Sequence, residues 1–174
     1  LVKRLKRQNK TEEQLLEKAL RNLLKETRSL ISIKINKYDD LIAEVKKEIL
    51  SAKKQILIRL WSEELELIED ELRGMEKKGI DIQLLSFTPL EKPIGETFSY
   101  NVDPHSFTEN WQRGLALFVD EERVVVGNKI GKHPIHGLLT NDILIAESIR
   151  DQILLDVELV KNKREMRKKK KKSG

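Results

Sequence analysis

The chain has 174 residues, a formal net charge of +5 and no cysteine. A length of this order holds one α/β core with short additions rather than two full domains. The absence of cysteine excludes disulfides, thiolate zinc sites and cysteine nucleophiles. With no apolar run of transmembrane length and no signal-peptide pattern, the expected location is the cytoplasm, without a membrane partner.

Basic residues are concentrated at the two ends of the chain. Residues 161–172 hold nine Lys or Arg and one Glu, and the first ten residues hold five Lys or Arg and no acid. Residues 11–160 therefore hold 20 basic and 28 acidic side chains, a net charge of −8. Residues 11–160 would therefore repel a phosphate backbone, so any bound nucleic acid must contact the ends of the chain or another domain. The lysine-rich segment 162–174 has little to bury and is predicted to be disordered.

An amphipathic helix is predicted at residues 11–28. Thr11-Glu12-Glu13-Gln14 matches a capping box, and the helix extends to about Thr27. One interpretation is that this helix folds back on its own domain, and the other is a two-stranded coiled coil. We expect dimerisation through the leucines of its apolar face. These include Leu16, Leu20 and Leu23.

A strand-helix-strand-helix-strand pattern follows. Residues 30–35 alternate apolar and polar side chains, as a half-exposed edge strand does. A helix with an apolar stripe from Tyr38 to Ala52 leads into a buried strand ending at Trp61, and a second helix leads into a strand ending at Phe87. Because two strands joined by a helical crossover are parallel, Trp61 and Phe87 should end side by side. Open α/β sheets usually bind ligands at such a position.

The second half predicts a loop, three strands and a final helix. The segment from Thr88 to Arg113 contains three prolines and a short strand near Thr97–Tyr100. Two apolar strands flank Asp120-Glu121-Glu122 as a tight hairpin, and a third strand covers residues 135–139. Thr140 or Asn141 would cap a helix that extends to about residue 161.

The run Ser51–Leu65, SAKKQILIRLWSEEL, resembles the start of the effector domain of TrmB-type transcription regulators. Phe118-Val119-Asp120 and Gly137-Leu138-Leu139-Thr140-Asn141 agree with that family, and the resemblance covers about residues 11–160. It implies an α/β, phospholipase D-like fold: a mixed, mainly parallel sheet flanked by helices and preceded by an amphipathic helix. Residues 29–161 would form the effector-binding domain. Residues 1–10 would be a basic linker from a winged-helix DNA-binding domain that this chain does not contain.

Phospholipase D-like enzymes use the motif H-x-K-x-x-x-x-D followed by G-S-x-N. When this pattern is anchored on Asp120, Arg113 and Leu115 occupy the histidine and lysine positions. Gly127, Asn128 and Ile130 occupy the later positions. Without the nucleophile and phosphate clamp, we expect a degenerate active site and no enzyme. The alternative is a phospholipase D-like phosphodiesterase or nuclease that acts as a dimer, and Asp120 has the alternative role of capping the hairpin turn.

Several TrmB-type regulators bind sugars, so the resemblance implies a small polar effector. A sugar needs an apolar face against its ring and a few well-placed hydrogen-bonding groups. The candidate ligand-binding residues are Trp61, Ser86, Thr88, Asn128, Thr140 and Asn141. Trp61 has the alternative role of a core anchor, and Thr140 and Asn141 that of a helix cap. His133 and His136 form a cluster with His105 further back, but no carboxylate accompanies them at metal-binding spacing. We therefore expect no metal and no cofactor.

Overall fold

A seven-stranded mixed sheet in the order β1-β7-β6-β5-β2-β3-β4 organises the chain. The computed structural model describes residues 29–102, 112–130 and 135–172, and their side chains except at 112–113, 129–130 and 164–172. The strands are β1 (Ser32–Ile35), β2 (Gln55–Leu60), β3 (Asp81–Ser86), β4 (Glu96–Ser99), β5 (Gln112–Val119), β6 (Arg123–Ile130) and β7 (His136–Thr140). The helices are α1 (Tyr38–Ser51), α2 (Ser62–Lys77) and α3 (Ile143–Lys172). The predicted dimerisation helix at 11–28 lies outside the described residues.

Antiparallel pairs outnumber parallel pairs in this sheet. Strand β2 pairs with β3, and β3 with β4, in parallel, as predicted for the first half of the chain. The other four pairs are antiparallel. The expectation of a mainly parallel sheet is therefore corrected. Strands β5, β6 and β7 follow one another through short connections, and such connections join antiparallel neighbours.

Helices α1 and α2 cover one face of the sheet, and α3 covers the other. The buried residues of α1 include Leu41, Val45 and Ile49, which follow the predicted helical spacing. They share a core with the inner residues of β2, β3 and β5. On the opposite face, Ala146 and Ile153 of α3 share a cluster with residues of β2, β5 and β6. The alternating side chains of the central strands therefore enter two separate cores.

The strand ends define two opposite ends of the sheet. At one end, which we name the Trp61 end, β2 and β3 finish and β5 and β7 begin. At the other, the Asp120 end, β2 and β3 begin and β5 and β7 finish. The six residues of β2 separate the two ends by roughly 20 Å. A ligand the size of a monosaccharide cannot contact both.

Helix α3 is longer than predicted. It runs for 30 residues to Lys172, through most of the segment that was expected to be disordered. Lysine, arginine and glutamate have high helix propensity, and cations favour the negative end of the helix dipole. The prediction of disorder over 162–172 is corrected on this ground. Among the described helices, none has both the length and the apolar composition needed to cross a membrane.

Candidate functional site

Trp61 leaves β2 at the Trp61 end and packs into a stack of three aromatic rings. Its ring centroid lies 4.6 Å from that of Phe87, and the Phe87 centroid lies 5.7 Å from that of Tyr100. The predicted juxtaposition of Trp61 and Phe87 is therefore present. Only 2% of the Trp61 surface is exposed, so no open indole face remains for a ligand ring. Burial of this kind favours the alternative role of Trp61, a core anchor.

An ion pair fastens α3 to this aromatic stack. Arg59 Nη1 on β2 donates to Asp156 Oδ2 on α3 at 2.7 Å, and the Tyr100 hydroxyl donates to Asp156 Oδ1 at 2.7 Å. The Arg59 guanidinium also lies 5.9 Å from the Phe87 ring centroid. Burial, with a smaller contribution from the hydrogen bond to Asp156, raises the pKa of Tyr100 above its ordinary value. The phenol therefore remains a donor throughout the physiological pH range.

Ser86 and Thr88, two predicted ligand contacts, are buried at the end of β3 and at the start of its connection to β4. The Ser86 and Thr88 hydroxyl oxygens lie 3.5 Å apart, and the Thr88 carbonyl accepts a hydrogen bond from Ser99 Oγ at 2.9 Å. Ser86 is 0% exposed and Thr88 is 3% exposed. These groups hold two neighbouring strand ends together, which accounts for their burial without a ligand.

Thr140 and Asn141 lie at the Asp120 end, away from Trp61. Thr140 Oγ1 donates to the carbonyl of Ile31 at 2.8 Å, and Asn141 Oδ1 accepts from the Ile31 amide at 2.7 Å. Together they fasten the start of β1 to the end of β7. The cap of α3 is instead Asp142, whose Oδ1 accepts from the amides of Leu144 and Ile145 at 2.9 and 3.2 Å. The helix-cap role of Thr140 and Asn141 is therefore corrected, and their ligand-binding role stays a prediction.

Asp120 lies in the β5–β6 turn, but its side chain binds a different segment of the chain. Its carboxylate accepts hydrogen bonds from the backbone amides of Lys53, Lys54 and Gln55 at 2.7, 2.8 and 3.0 Å. Its backbone φ of +53° is one that aspartate tolerates in turns. The hairpin-cap interpretation is thus corrected, because the side chain stabilises the connection between α1 and β2.

The other positions of the phospholipase D-like motif lie near the Trp61 end. Leu115 is 4% exposed and belongs to the core beneath α1 and α2. A Cβ at Gly127 would overlap Leu41 Cδ2, so glycine there allows α1 to approach the sheet. Arg113 pairs with Lys129 across β5 and β6, and Ile130 pairs with Gln112. The side chains of these four residues lie outside the described atoms.

Asn128 and His136 lie directly opposite each other on β6 and β7, and both are exposed. Directly opposed residues have Cβ atoms about 5 Å apart. A Cβ at Gly114 would lie 2.6 Å from Asn128 Oδ1, so this glycine leaves room for the amide. The register thus brings an amide and an imidazole to neighbouring positions that no local pattern in the sequence connects. His105 and His133 lie outside the described residues.

A groove of about 330 Å³ lies between the edge strand β1 and the outer flank of α1. Ile33 and Ile35 are its apolar members, and Ile33 is 51% exposed. The polar lining residues are Lys34, Asn36, Lys37, Asp40 and Glu44. The volume suits a ligand of monosaccharide size, and the lining offers equal numbers of cationic and anionic side chains. No local pattern in the sequence distinguishes these residues.

A buried carboxylate joins the starts of α1 and α2. Glu64 is 5% exposed, and its Oε1 accepts a hydrogen bond from the Tyr38 hydroxyl at 3.0 Å. This contact holds the first turn of α1, which carries Asp40 of the groove, against the neighbouring helix. A glutamate in a first helical turn is ordinarily a solvent-exposed partner of the dipole, so its sequence position alone did not indicate burial.

Comparison with known proteins finds distant relatives. No family model matches the chain. The chain is 25% identical over 130 residues to YrhO, an uncharacterized protein of Bacillus subtilis, and the match covers 73% of this chain and 47% of YrhO. The chain therefore spans about half the length of the curated relative that it matches.

Solved structures establish the fold. TrmBL2, described as an archaeal chromatin protein with a novel mode of DNA binding, aligns with a TM-score of 0.58 and 11% identity over 90% of this chain and 64% of TrmBL2. NucT from Helicobacter pylori aligns with a TM-score of 0.55 and 12% identity over 76% of this chain and 98% of NucT. Nuc from Salmonella typhimurium, a phospholipase D family member, has a TM-score of 0.46 and 14% identity over 76% of this chain and 95% of Nuc. The chain has a phospholipase D-like α/β fold, as predicted.

The same structures overturn one expectation. We expected no enzyme because Arg113 and Leu115 replace the motif's histidine and lysine. The structures similar to this chain include a phospholipase D-family enzyme, NucT. Enzymes are thus built on this fold, and replacement of one motif does not exclude chemistry by other residues. The expectation that the chain is not an enzyme is therefore wrong.

Proposed function

We propose that the chain is the effector-binding and assembly domain of a TrmB-type, DNA-binding transcription regulator located in the cytoplasm. The observation that carries the proposal is the alignment with TrmBL2 along 90% of this chain. The sequence resemblance over Ser51–Leu65 supports the proposal independently of that alignment. This run forms the end of α1, all of β2 and the start of α2.

DNA would be bound by a winged-helix domain outside this chain, for which residues 1–10 would be the linker. The net charge of −8 over residues 11–160 supports this division, because an acidic body does not attract a phosphate backbone. The helix at 11–28, with Leu16, Leu20 and Leu23, would join two chains into a homodimer. A dimeric domain suits a regulator whose DNA site has two equivalent halves.

The groove between β1 and α1 is our proposed effector site. Ile33 and Ile35 provide an apolar surface for the carbon face of a ring, and Asn36 and Asp40 provide polar atoms beside it. Lys34 and Lys37 are matched in number by Asp40 and Glu44, and Glu44 is also paired with Lys47 at 2.7 Å. Polar groups beside an apolar surface suit a neutral polyol such as a sugar.

None of the six ligand-binding residues predicted from the sequence lines this groove. Trp61, Ser86 and Thr88 are buried within the protein, and Thr140 and Asn141 hold β1 at the other end of the sheet. Asn128 is the one predicted ligand residue that is exposed, and it lies at the Trp61 end with His136.

A thermal-shift screen of the purified chain tests the proposal. Neutral sugars, sugar phosphates and nucleotides are added one at a time, and the melting temperature Tm is measured. A ligand at about 100 times its Kd should raise Tm by roughly 5 to 10 °C. We expect this shift with a neutral sugar, and a panel without any shift would contradict the effector role.

A phosphodiesterase is the second candidate function. Two observations favour it: the chain covers 98% of NucT, and His136 is exposed beside Asn128 at the Trp61 end. A neutral imidazole can attack phosphorus, and a neighbouring amide can donate to a phosphate oxygen. If the chain is a phosphodiesterase, it should hydrolyse bis(p-nitrophenyl) phosphate. His136→Ala should abolish this activity without changing Tm. Turnover that survives His136→Ala, or no turnover at all, removes it.

A further inference from the structure

The outer face of α3 carries apolar side chains that the sheet does not cover. The inner face of the helix buries Ala146 and Ile153 in the core on that face of the sheet, and Val157 and Val160 in a neighbouring cluster with Leu85 and Phe98. On the opposite side, Leu144 is 73% exposed, Leu155 is 58% exposed and Leu159 is 46% exposed. Leu155 and Leu159 are four residues apart and therefore adjacent on the helix surface. Adjacent exposed leucines of this kind mark a contact surface.

The charges of α3 are separated along its length. Residues 143–160 hold four acidic side chains and one basic side chain, and residues 161–172 hold nine basic side chains and one acidic. Two such helices side by side in parallel would place like charges together. In the antiparallel arrangement, the two basic segments 161–172 stay apart, and each lies along the part of the other helix that carries Glu147 and Asp151. A second copy of α3 is therefore complementary to this surface in charge as well as in apolar character.

We propose that the outer face of α3 is an interface with a second copy of this chain, in which the two α3 helices pair antiparallel. This interface goes beyond the proposed regulator function, and it is separate from the dimerisation helix predicted at 11–28. A twofold axis makes the contact self-complementary, because each copy supplies the same patch.

The spacing of exposed residues sets the register of the pair. Asp151, Leu155, Leu159 and Lys163 follow one another at intervals of four residues, and all four are exposed. Such rows form the ridges by which helices pack. A twofold axis between Leu155 and Leu159 places Leu155 against the partner's Leu159. It also places Asp151 beside the partner's Lys163. Within one chain Asp151 pairs with Arg150 at 2.7 Å, and Lys163 Nζ lies 5.8 Å from the Tyr100 ring centroid, so an ion pair across the interface would compete with these contacts.

The anchoring of α3 makes the surface rigid. The Arg59–Asp156 ion pair and the Tyr100–Asp156 hydrogen bond hold the middle of α3 on the sheet, each at 2.7 Å. Asp156 is adjacent in sequence to Leu155, so the backbone that carries the leucine pair is fixed before association. A preorganised surface loses little conformational entropy on binding.

Site-specific cross-linking tests the register directly, because the native chain has no cysteine. Leu155→Cys and Leu159→Cys chains are mixed under mild oxidation, and the product of doubled mass is measured on a denaturing gel. We expect the mixture to cross-link at least about tenfold faster than either variant alone, since a disulfide needs Cα atoms within roughly 7 Å. Equal rates, or no product, would overturn the register and the interface.

A charge exchange in the same cysteine pair tests the electrostatic part. Asp151→Lys alone or Lys163→Asp alone should lower the cross-linking rate at least about tenfold, because like charges then face each other. The double variant should restore it. Glu66→Lys on α2 makes the same charge change on an exposed side chain away from α3, and it should leave the rate unchanged.

Two further outcomes would contradict the proposed interface. If the double variant fails to restore cross-linking although its Tm matches that of the parent, the antiparallel pairing is wrong. If Leu155→Glu abolishes binding to anionic lipid vesicles and the chains show no cross-linking, the surface contacts membranes rather than a second copy.

Discussion

Asp156 accepts hydrogen bonds from Arg59 Nη1 and from the Tyr100 hydroxyl, both at 2.7 Å, and so joins α3 to β2 and to the residue that follows β4. The Arg59 and Asp156 side chains are 17% and 20% exposed. Removing one member of a mostly buried pair leaves the other charge without compensation, and that cost exceeds the value of the pair itself.

Asp156→Ala should therefore lower the free energy of unfolding by about 3 kcal/mol, measured by urea denaturation. Glu69→Gln is the matched control, since it breaks the more exposed Arg73–Glu69 pair on α2. We expect that control to cost less than about 0.5 kcal/mol. Similar decreases in the free energy of unfolding of the two variants would show that Asp156 contributes no more to stability than an exposed ion-pair residue.

The raised pKa of Tyr100 predicts a pH dependence of stability. Its folded-state pKa exceeds the ordinary value of 10.0, so the neutral phenol is favoured in the folded state. This contribution is complete below pH about 10 and is lost as the pH rises through the folded-state pKa. The urea midpoint of the native chain should therefore fall more steeply between about pH 9 and 11 than that of Tyr100→Phe. Parallel curves would contradict the assignment.

Trp61 should act through packing. Its indole is stacked on Phe87 and is 2% exposed, so Trp61→Phe removes buried surface from the aromatic stack. We expect a loss of about 1 to 2 kcal/mol in the free energy of unfolding, and no change in affinity for an effector. If Trp61→Phe abolished ligand binding while Tm stayed constant, the indole would be a ligand platform after all.

Asp120 should stabilise the chain through the three amides that its carboxylate binds. Asp120→Ala leaves the amides of Lys53, Lys54 and Gln55 without this acceptor and should cost about 2 to 3 kcal/mol. Asp120→Asn keeps the oxygen that accepts from the amides of Lys54 and Gln55, so the decrease in its free energy of unfolding should be intermediate. Equilibrium urea denaturation orders the three proteins, and equal stability of the alanine variant would refute this role.

Local patterns in the sequence predicted the elements of the fold well. The apolar spacing of α1, the mostly apolar run of β2 and the paired strands around Asp120 all depend on near neighbours in the chain, and each is present. The balance of parallel and antiparallel pairs was missed, since it depends on which distant strand lies beside β2. Strand β5 takes that place, antiparallel, with Ile58 opposite Leu117.

The candidate site was less predictable because it is assembled from distant residues. Arg59 and Asp156 are 97 residues apart, and no local pattern connects them. Thr140 is the last residue of β7 and Trp61 follows β2. Because β7 runs antiparallel to β6, the two residues lie at opposite ends of the sheet. The groove beside β1 depends on an edge position that the alternation of residues 30–35 indicated, but its partner helix could not be inferred from that pattern.

Titration calorimetry with the sugar that gives the largest thermal shift tests the effector groove most directly. Asp40 lines the groove. Asp39, its exposed neighbour in the first turn of α1, does not line the groove and serves as the control. We predict that Asp40→Asn weakens binding at least about tenfold, as the loss of a charge-assisted hydrogen bond does, while Asp39→Asn leaves Kd unchanged. Equal affinity in the native chain and both variants would contradict the proposed site.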